Sequence, residues 1–124
     1  MNKLPELLAP AGDMEKLRFA IAYGADAVYF AGQQFGMRAA AANFDDEALR
    51  AGIAYAHARG VKCYITVNIM PSERDLTALP AYLELLADAG ADALIVADVG
   101  VIRLAQRYAP KVPLHISKIG RAHV

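Results

Sequence analysis

The chain has 124 residues, 56% of them apolar, with 13 basic and 13 acidic side chains that cancel to a formal net charge of zero and a mean hydropathy of +0.25. The balance leaves no basic stripe to track a phosphate backbone, which argues against a stand-alone nucleic-acid module. A single cysteine, Cys63, excludes a disulfide framework. Met1 to Glu6 has no apolar core of the kind a signal peptide needs, and no run approaches the ~18 apolar residues of a membrane span, so a cytoplasmic protein is expected.

Glu6 to Ala9 reads as a first strand, turning through Pro10-Ala11-Gly12 into a helix capped by Asp13. Leu17, Ala20 and Ile21 fall on one face of that helix, and Gly24 ends it. Ala27 to Phe30 is a second strand. A loop of about fourteen residues, Ala31 to Phe44, follows; it is long for a connection of this type, and such loops tend to carry function. Asp45 caps a second helix with Leu49, Ile53 and Ala56 as its apolar stripe, closed by Gly60. A third strand runs Lys62 to Ile69, with Lys62 to Val67 as the stretch expected to pair. The third helix contains Pro80, which is tolerated in a first turn, so its regular part is expected from near Thr77. Leu79, Leu83 and Leu86 mark its buried side and Gly90 its end. Ala93 to Val96 is a fourth strand, Asp98 caps a helix over Val99 to Tyr108, and Leu114 to Ser117 begins a fifth strand.

The stretch Tyr23-Gly24-Ala25-Asp26-Ala27-Val28-Tyr29-Phe30 returns as Ala89-Gly90-Ala91-Asp92-Ala93-Leu94-Ile95-Val96, with a looser copy at Gly60 to Val67. A helix that stops at a glycine and feeds a short apolar strand, repeated at roughly thirty-odd residues, is the pattern of βα units on a parallel sheet. Four units and one strand make half of a (β/α) barrel, whose complete form needs roughly 200 residues or more. The alternative of an open dinucleotide-binding sheet is weakened because no Gly-x-Gly-x-x-Gly follows the first strand. Residues 118–124 break both periodicities. Ile119 to Val124 is what ATCGGAAGAGCACACGTC encodes, a string resembling the start of a sequencing adapter, so the expected division is 1–117 barrel and 118–124 non-native tail.

In a βα barrel the chemistry sits at the carboxyl ends of the strands, which sorts candidates by position before residue type. Asp26 and Asp92 precede their strands and are expected to bind turn amides instead. Arg38, on the long loop, offers a planar fork for a carboxylate or phosphate, or else braces the loop. Asn43 either forms the turn before Asp45 or faces substrate. Asn68 ends a strand that otherwise favours β-branched residues, which a barrel mouth would explain. His115 and Ser117 share one face of the fifth strand ~7 Å apart. They form no triad, because no orienting carboxylate or nucleophile elbow accompanies them. Asp98 is explained by capping, and Cys63, inside a strand, reads as a buried structural thiol.

Taken together, Glu6 to Gly12, Tyr23 to Tyr29, Arg38 to Phe44, Val67-Asn68-Ile69 and Leu114 to Ser117 resemble the amino-terminal half of the peptidase U32 family. The resemblance covers Leu4 to Ser117. It implies oxygen-independent hydroxylation, in different branches, of a tRNA wobble uridine, a ribosomal RNA cytidine or the ubiquinone ring, with an iron–sulfur cluster and prephenate as oxygen source. The loop from Gly36-Met37-Arg38 to Asn43-Phe44 looks most like the tRNA branch, although the alanine run Ala39 to Ala42 departs from it. The cluster cysteines of the family would lie beyond this chain, so the segment alone is expected to hold no cluster, to be inactive and to self-associate. The alternatives are a collagenase-like peptidase and a non-catalytic scaffold that docks a partner.

Overall fold

The structure, a computed structural model, describes residues 6–31, 44–67 and 73–116. Its elements alternate without exception: β1 (Leu8–Pro10), α1 (Met14–Ala22), β2 (Ala27–Ala31), α2 (Asp46–Ala58), β3 (Lys62–Val67), α3 (Glu73–Ala89), β4 (Ala93–Val96), α4 (Val99–Tyr108) and β5 (Leu114–Ile116). The strands form one parallel sheet in the order β1-β2-β3-β4-β5, with no switch point. Adjacent parallel strands joined each time through a helix are the (β/α)-barrel arrangement, and this chain has half of one.

Local chemistry sets the element ends. The carboxylates of Asp13, Asp45 and Asp98 accept from the amides of Lys16, Ala48 and Val101 at 2.8, 2.7 and 3.1 Å, each satisfying a free donor of a first helical turn. Gly24, Gly60 and Gly90 close α1, α2 and α3 at φ of 100°, 75° and 94°, where a side chain would strain the backbone. The helices lie on one face of the sheet. There Leu17, Leu49, Ile53, Leu79, Leu83 and Leu86 meet Val28, Ile65, Val67, Leu94 and Val96, all fully buried.

Three boundaries differ from the sequence reading. β2 runs one residue past Phe30, to Ala31. The first strand is Leu8–Pro10 rather than Glu6 to Ala9: Leu7 is held by Asp26, its amide donating to Oδ2 at 2.8 Å and its carbonyl accepting from the amides of Asp26 and Ala27, but unlike Cys63, which Asp92 holds in the same way within β3, it has no strand paired on its other side. Pro10 is tolerated since β1 is paired on one side only. The third helix starts at Glu73, not near Thr77, which places Pro80 inside it. Fully buried Leu79 and Leu83 flank the proline and hold the helix across the missing amide.

Candidate functional site

Because successive strand residues point to opposite sides, the helix-free face is lined by alternate positions. The registers align them in rows: Leu8, Ala27 and Lys62; then Pro10, Tyr29, Tyr64 and Ala93; then, nearest the carboxyl ends, Ala31, Thr66, Ile95 and His115. His115 is thus where a strand-end site requires it, on the last described row. It is exposed, and its imidazole meets the edge of the Tyr64 ring, with centroids 5.2 Å apart and planes at 72°.

Tyr64 is the centre of this face. It is buried over Ala27 and Ala93, and a buried phenol needs a partner for its hydroxyl. Glu6, 58 residues earlier, supplies one: the hydroxyl donates to its carboxylate at 3.0 and 3.2 Å from the two oxygens. Burial, and then the hydrogen bond and charge of Glu6, hold the Tyr64 phenol above the ordinary tyrosine range, so it remains a neutral donor. Lys62 Nζ lies 3.9 Å from Glu6, and Thr66 Oγ1 donates to the Phe30 carbonyl at 3.5 Å.

Of the residues singled out from sequence, Arg38, Asn43, Asn68 and Ser117 lie outside the described residues. The base of the loop that carries Arg38 and Asn43 is within them. The Phe44 amide donates to the Ala31 carbonyl at 3.4 Å, and the Phe30 and Phe44 rings pack 4.4 Å apart, so the two loop ends are drawn together at the carboxyl end of β2. Asp26 and Asp92 lie at the opposite end and bind backbone amides, as expected. Tyr64, Glu6 and Thr66 escaped the sequence reading. The period-2 polar positions Lys62, Tyr64 and Thr66 in an otherwise apolar strand were the available signal for two of them. His57 was also missed; its Nε2 lies 2.7 Å from Asp92 Oδ2 at the far end of the sheet.

Cys63 faces the helices and is fully buried. Burial, with a smaller contribution from the charge of Asp92, pushes its thiol up to about 12, so it stays protonated. It lies in the helix layer, away from the helix-free face, and an iron–sulfur cluster usually takes four thiolates where this chain has one cysteine. Among the described residues no helix is long and apolar enough to cross a membrane.

Comparison with known proteins matches residues 12–123 to peptidase family U32. The "tRNA hydroxylation protein P1" of Bacillus subtilis is 44% identical over 117 residues, covering 94% of this chain and 28% of that protein. The "tRNA hydroxylation protein P" of Escherichia coli is 42% identical over 113 residues, 91% of this chain and 25% of that protein. A "Collagenase" of Porphyromonas gingivalis is 34% identical over 110 residues, 88% of this chain and 27% of that protein. The chain therefore spans about a quarter of the length of the curated relatives it matches. The solved structure of the U32 peptidase Mk0906 superposes with a TM-score of 0.66 at 15% identity, over 94% of this chain and 49% of that one.

Proposed function

We propose that this chain, which belongs to peptidase family U32, is the amino-terminal part of a longer enzyme that hydroxylates the wobble uridine of tRNA without molecular oxygen. The observation that carries this reading is the 44% and 42% identity to two tRNA hydroxylation proteins over nearly the whole chain; the collagenase is 34% identical, and an uncharacterized protease of Methanocaldococcus jannaschii 42%. RNA is then the macromolecular partner, and the cytoplasm the compartment.

The helix-free face with His115 and Thr66 on its carboxyl-end row forms one wall of the site. Arg38 and Asn43 belong to the loop whose base is pinned at Phe44, and Asn68 and Ser117 directly follow β3 and β5 in sequence; all four are proposed to contribute to substrate binding. Prephenate is the proposed oxygen source, and the Arg38 guanidinium is suited to one of its carboxylates. An iron–sulfur cluster would take its ligands from the rest of the longer protein, because a single cysteine buried in the helix layer cannot supply four thiolates. The division into 1–117 and a foreign 118–124 belongs to the same proposal, and sequencing the gene past Ser117 tests it.

The functional test is complementation. The full-length gene is placed in a bacterial strain that lacks its own tRNA hydroxylation proteins, and tRNA nucleosides are measured by mass spectrometry. Return of 5-hydroxyuridine is the expected result. Gelatin cleavage by the purified protein with no 5-hydroxyuridine in the cells would favour the second reading, a collagenase-like peptidase, which the Porphyromonas relative supports.

A further inference from the structure

The Tyr64 ring spans two strands. His115 sits on β5 and Tyr64 on β3, with β4 between them, yet the two rings touch edge to face at 5.2 Å. The contact is possible because Ala93, the register partner of Tyr64 on the intervening strand, presents only a methyl group on that face. The far end of the Tyr64 ring is fixed as well, by the two hydroxyl contacts to Glu6 at 3.0 and 3.2 Å. A ring clamped at one end and buried has one position to offer, and the exposed imidazole packs against it in a T-shaped arrangement.

We propose that Tyr64 is a positioning residue: tethered by Glu6 and passing over Ala93, it holds the His115 imidazole in the orientation in which it faces substrate. The proposal rests on the placement of His115 in the site given above. A histidine side chain without a fixed neighbour populates several rotamers. A T-shaped aromatic contact favours the rotamer that makes it over those that do not. Glu6 thereby influences the site through a side chain that itself touches no substrate. Ala93 gains a role of its own, because any larger residue there would come between the two rings.

The test uses the full-length protein, with the variants Y64L, Y64F, A93V and H115A. Each is followed by thermal melting, by NMR of histidine-labelled protein with the His115 signals assigned from their loss in H115A, and by kcat and KM on tRNA. Removing the ring in Y64L is expected to move the His115 signals, since the ring current that acts on them is gone. It should lower kcat about 10-fold or more with KM for tRNA within about 2-fold, the pattern of lost orientation rather than lost binding. Y64F keeps ring and packing but cuts the tether, and is expected to lower kcat by about 3-fold with His115 signals shifted less. A93V should reproduce Y64L in the NMR signals while leaving both rings in place, which keeps the test open even if Y64L fails to fold.

His115 signals unmoved in both Y64L and A93V would overturn the proposal. So would moved signals with wild-type kcat. If H115A keeps wild-type turnover, the place of His115 in the site fails and the role of Tyr64 with it, whereas 5-hydroxyuridine formation by that same protein would leave the proposed reaction standing.

Discussion

Asp92 and Cys63 exchange two hydrogen bonds: the Cys63 amide donates to Asp92 Oδ2 at 2.7 Å, and the Asp92 amide donates to the Cys63 carbonyl at 2.8 Å. The same clasp joins Asp26 to Leu7, at 2.8 Å for both bonds. The repeated Gly-Ala-Asp-Ala sequence is therefore a device that locks the turn entering one strand to the start of the strand before it.

The two clasps differ in burial, and that sets the cost of breaking them. The Cys63 bond is partly buried and the Leu7 bond is exposed. In an H57A background, where the 2.7 Å contact of His57 with Asp92 Oδ2 no longer contributes, D92A leaves a partly buried amide without its acceptor and is expected to cost about 2 kcal/mol, while D26A, whose amide turns to water, should cost about 1 kcal/mol or less. Urea unfolding of the two variants side by side measures the difference; equal losses would show that burial does not govern the clasp.

Alkaline pH should unfold the chain partly through Cys63. Its thiol titrates near 9 when unfolded and at about 12 when folded, so between those values the folded state keeps a proton that the unfolded state has released. Stability then falls as pH rises, by about 1.4 kcal/mol per pH unit over that window for this group. The difference between unfolding curves of the wild type and C63A isolates it from other titrations. The same thiol should be inert to Ellman's reagent at pH 8 until denaturant is added.

Pro80 costs α3 an amide, so P80A is expected to stabilise the chain by about 1–3 kcal/mol, less the entropy that proline removes from the unfolded state. G60A tests the opposite case. No atom lies within 4 Å of the position a methyl group would take at Gly60, so its expected cost of about 1 kcal/mol comes from the left-handed backbone alone. Chemical denaturation reads both signs.

The expressed segment 1–117 should associate. β1 and β5 each have one free edge, and Leu7 and Ile116 near those edges are 53% and 61% exposed. Size-exclusion chromatography is expected to show dimers or larger species, and anaerobic preparation no bound iron. A brown, monomeric segment would contradict both expectations.

What could be read from sequence follows from which interactions are local. Helix caps, glycine stops and apolar stripes act within about four residues, and Asp13, Asp45, Asp98, Gly24, Gly60 and Gly90 all behave as their types dictate. The errors arose where a distant partner decides. β1 starts at Leu8 rather than Glu6, where Leu7 is held by Asp26, 19 residues on, and not by a strand ladder, and α3 runs through Pro80 because its leucines are buried on both sides of it. The Tyr64 to Glu6 hydrogen bond joins residues 58 apart, which no periodicity announces. The place of His115 on the carboxyl-end row could be read from strand position alone, whereas the tyrosine against it could not.

The strand order has a consequence for how the chain comes into being. Each strand pairs with the strand synthesised just before it, so none must wait for a later one to complete its inner edge. Each pairing still closes a loop through a whole helix, the slow step of a parallel sheet, but it closes it onto a strand already made. On a ribosome adding about 5–20 residues per second, every emerging helix and strand finds its docking surface already in place, and the sheet grows outward in step with translation.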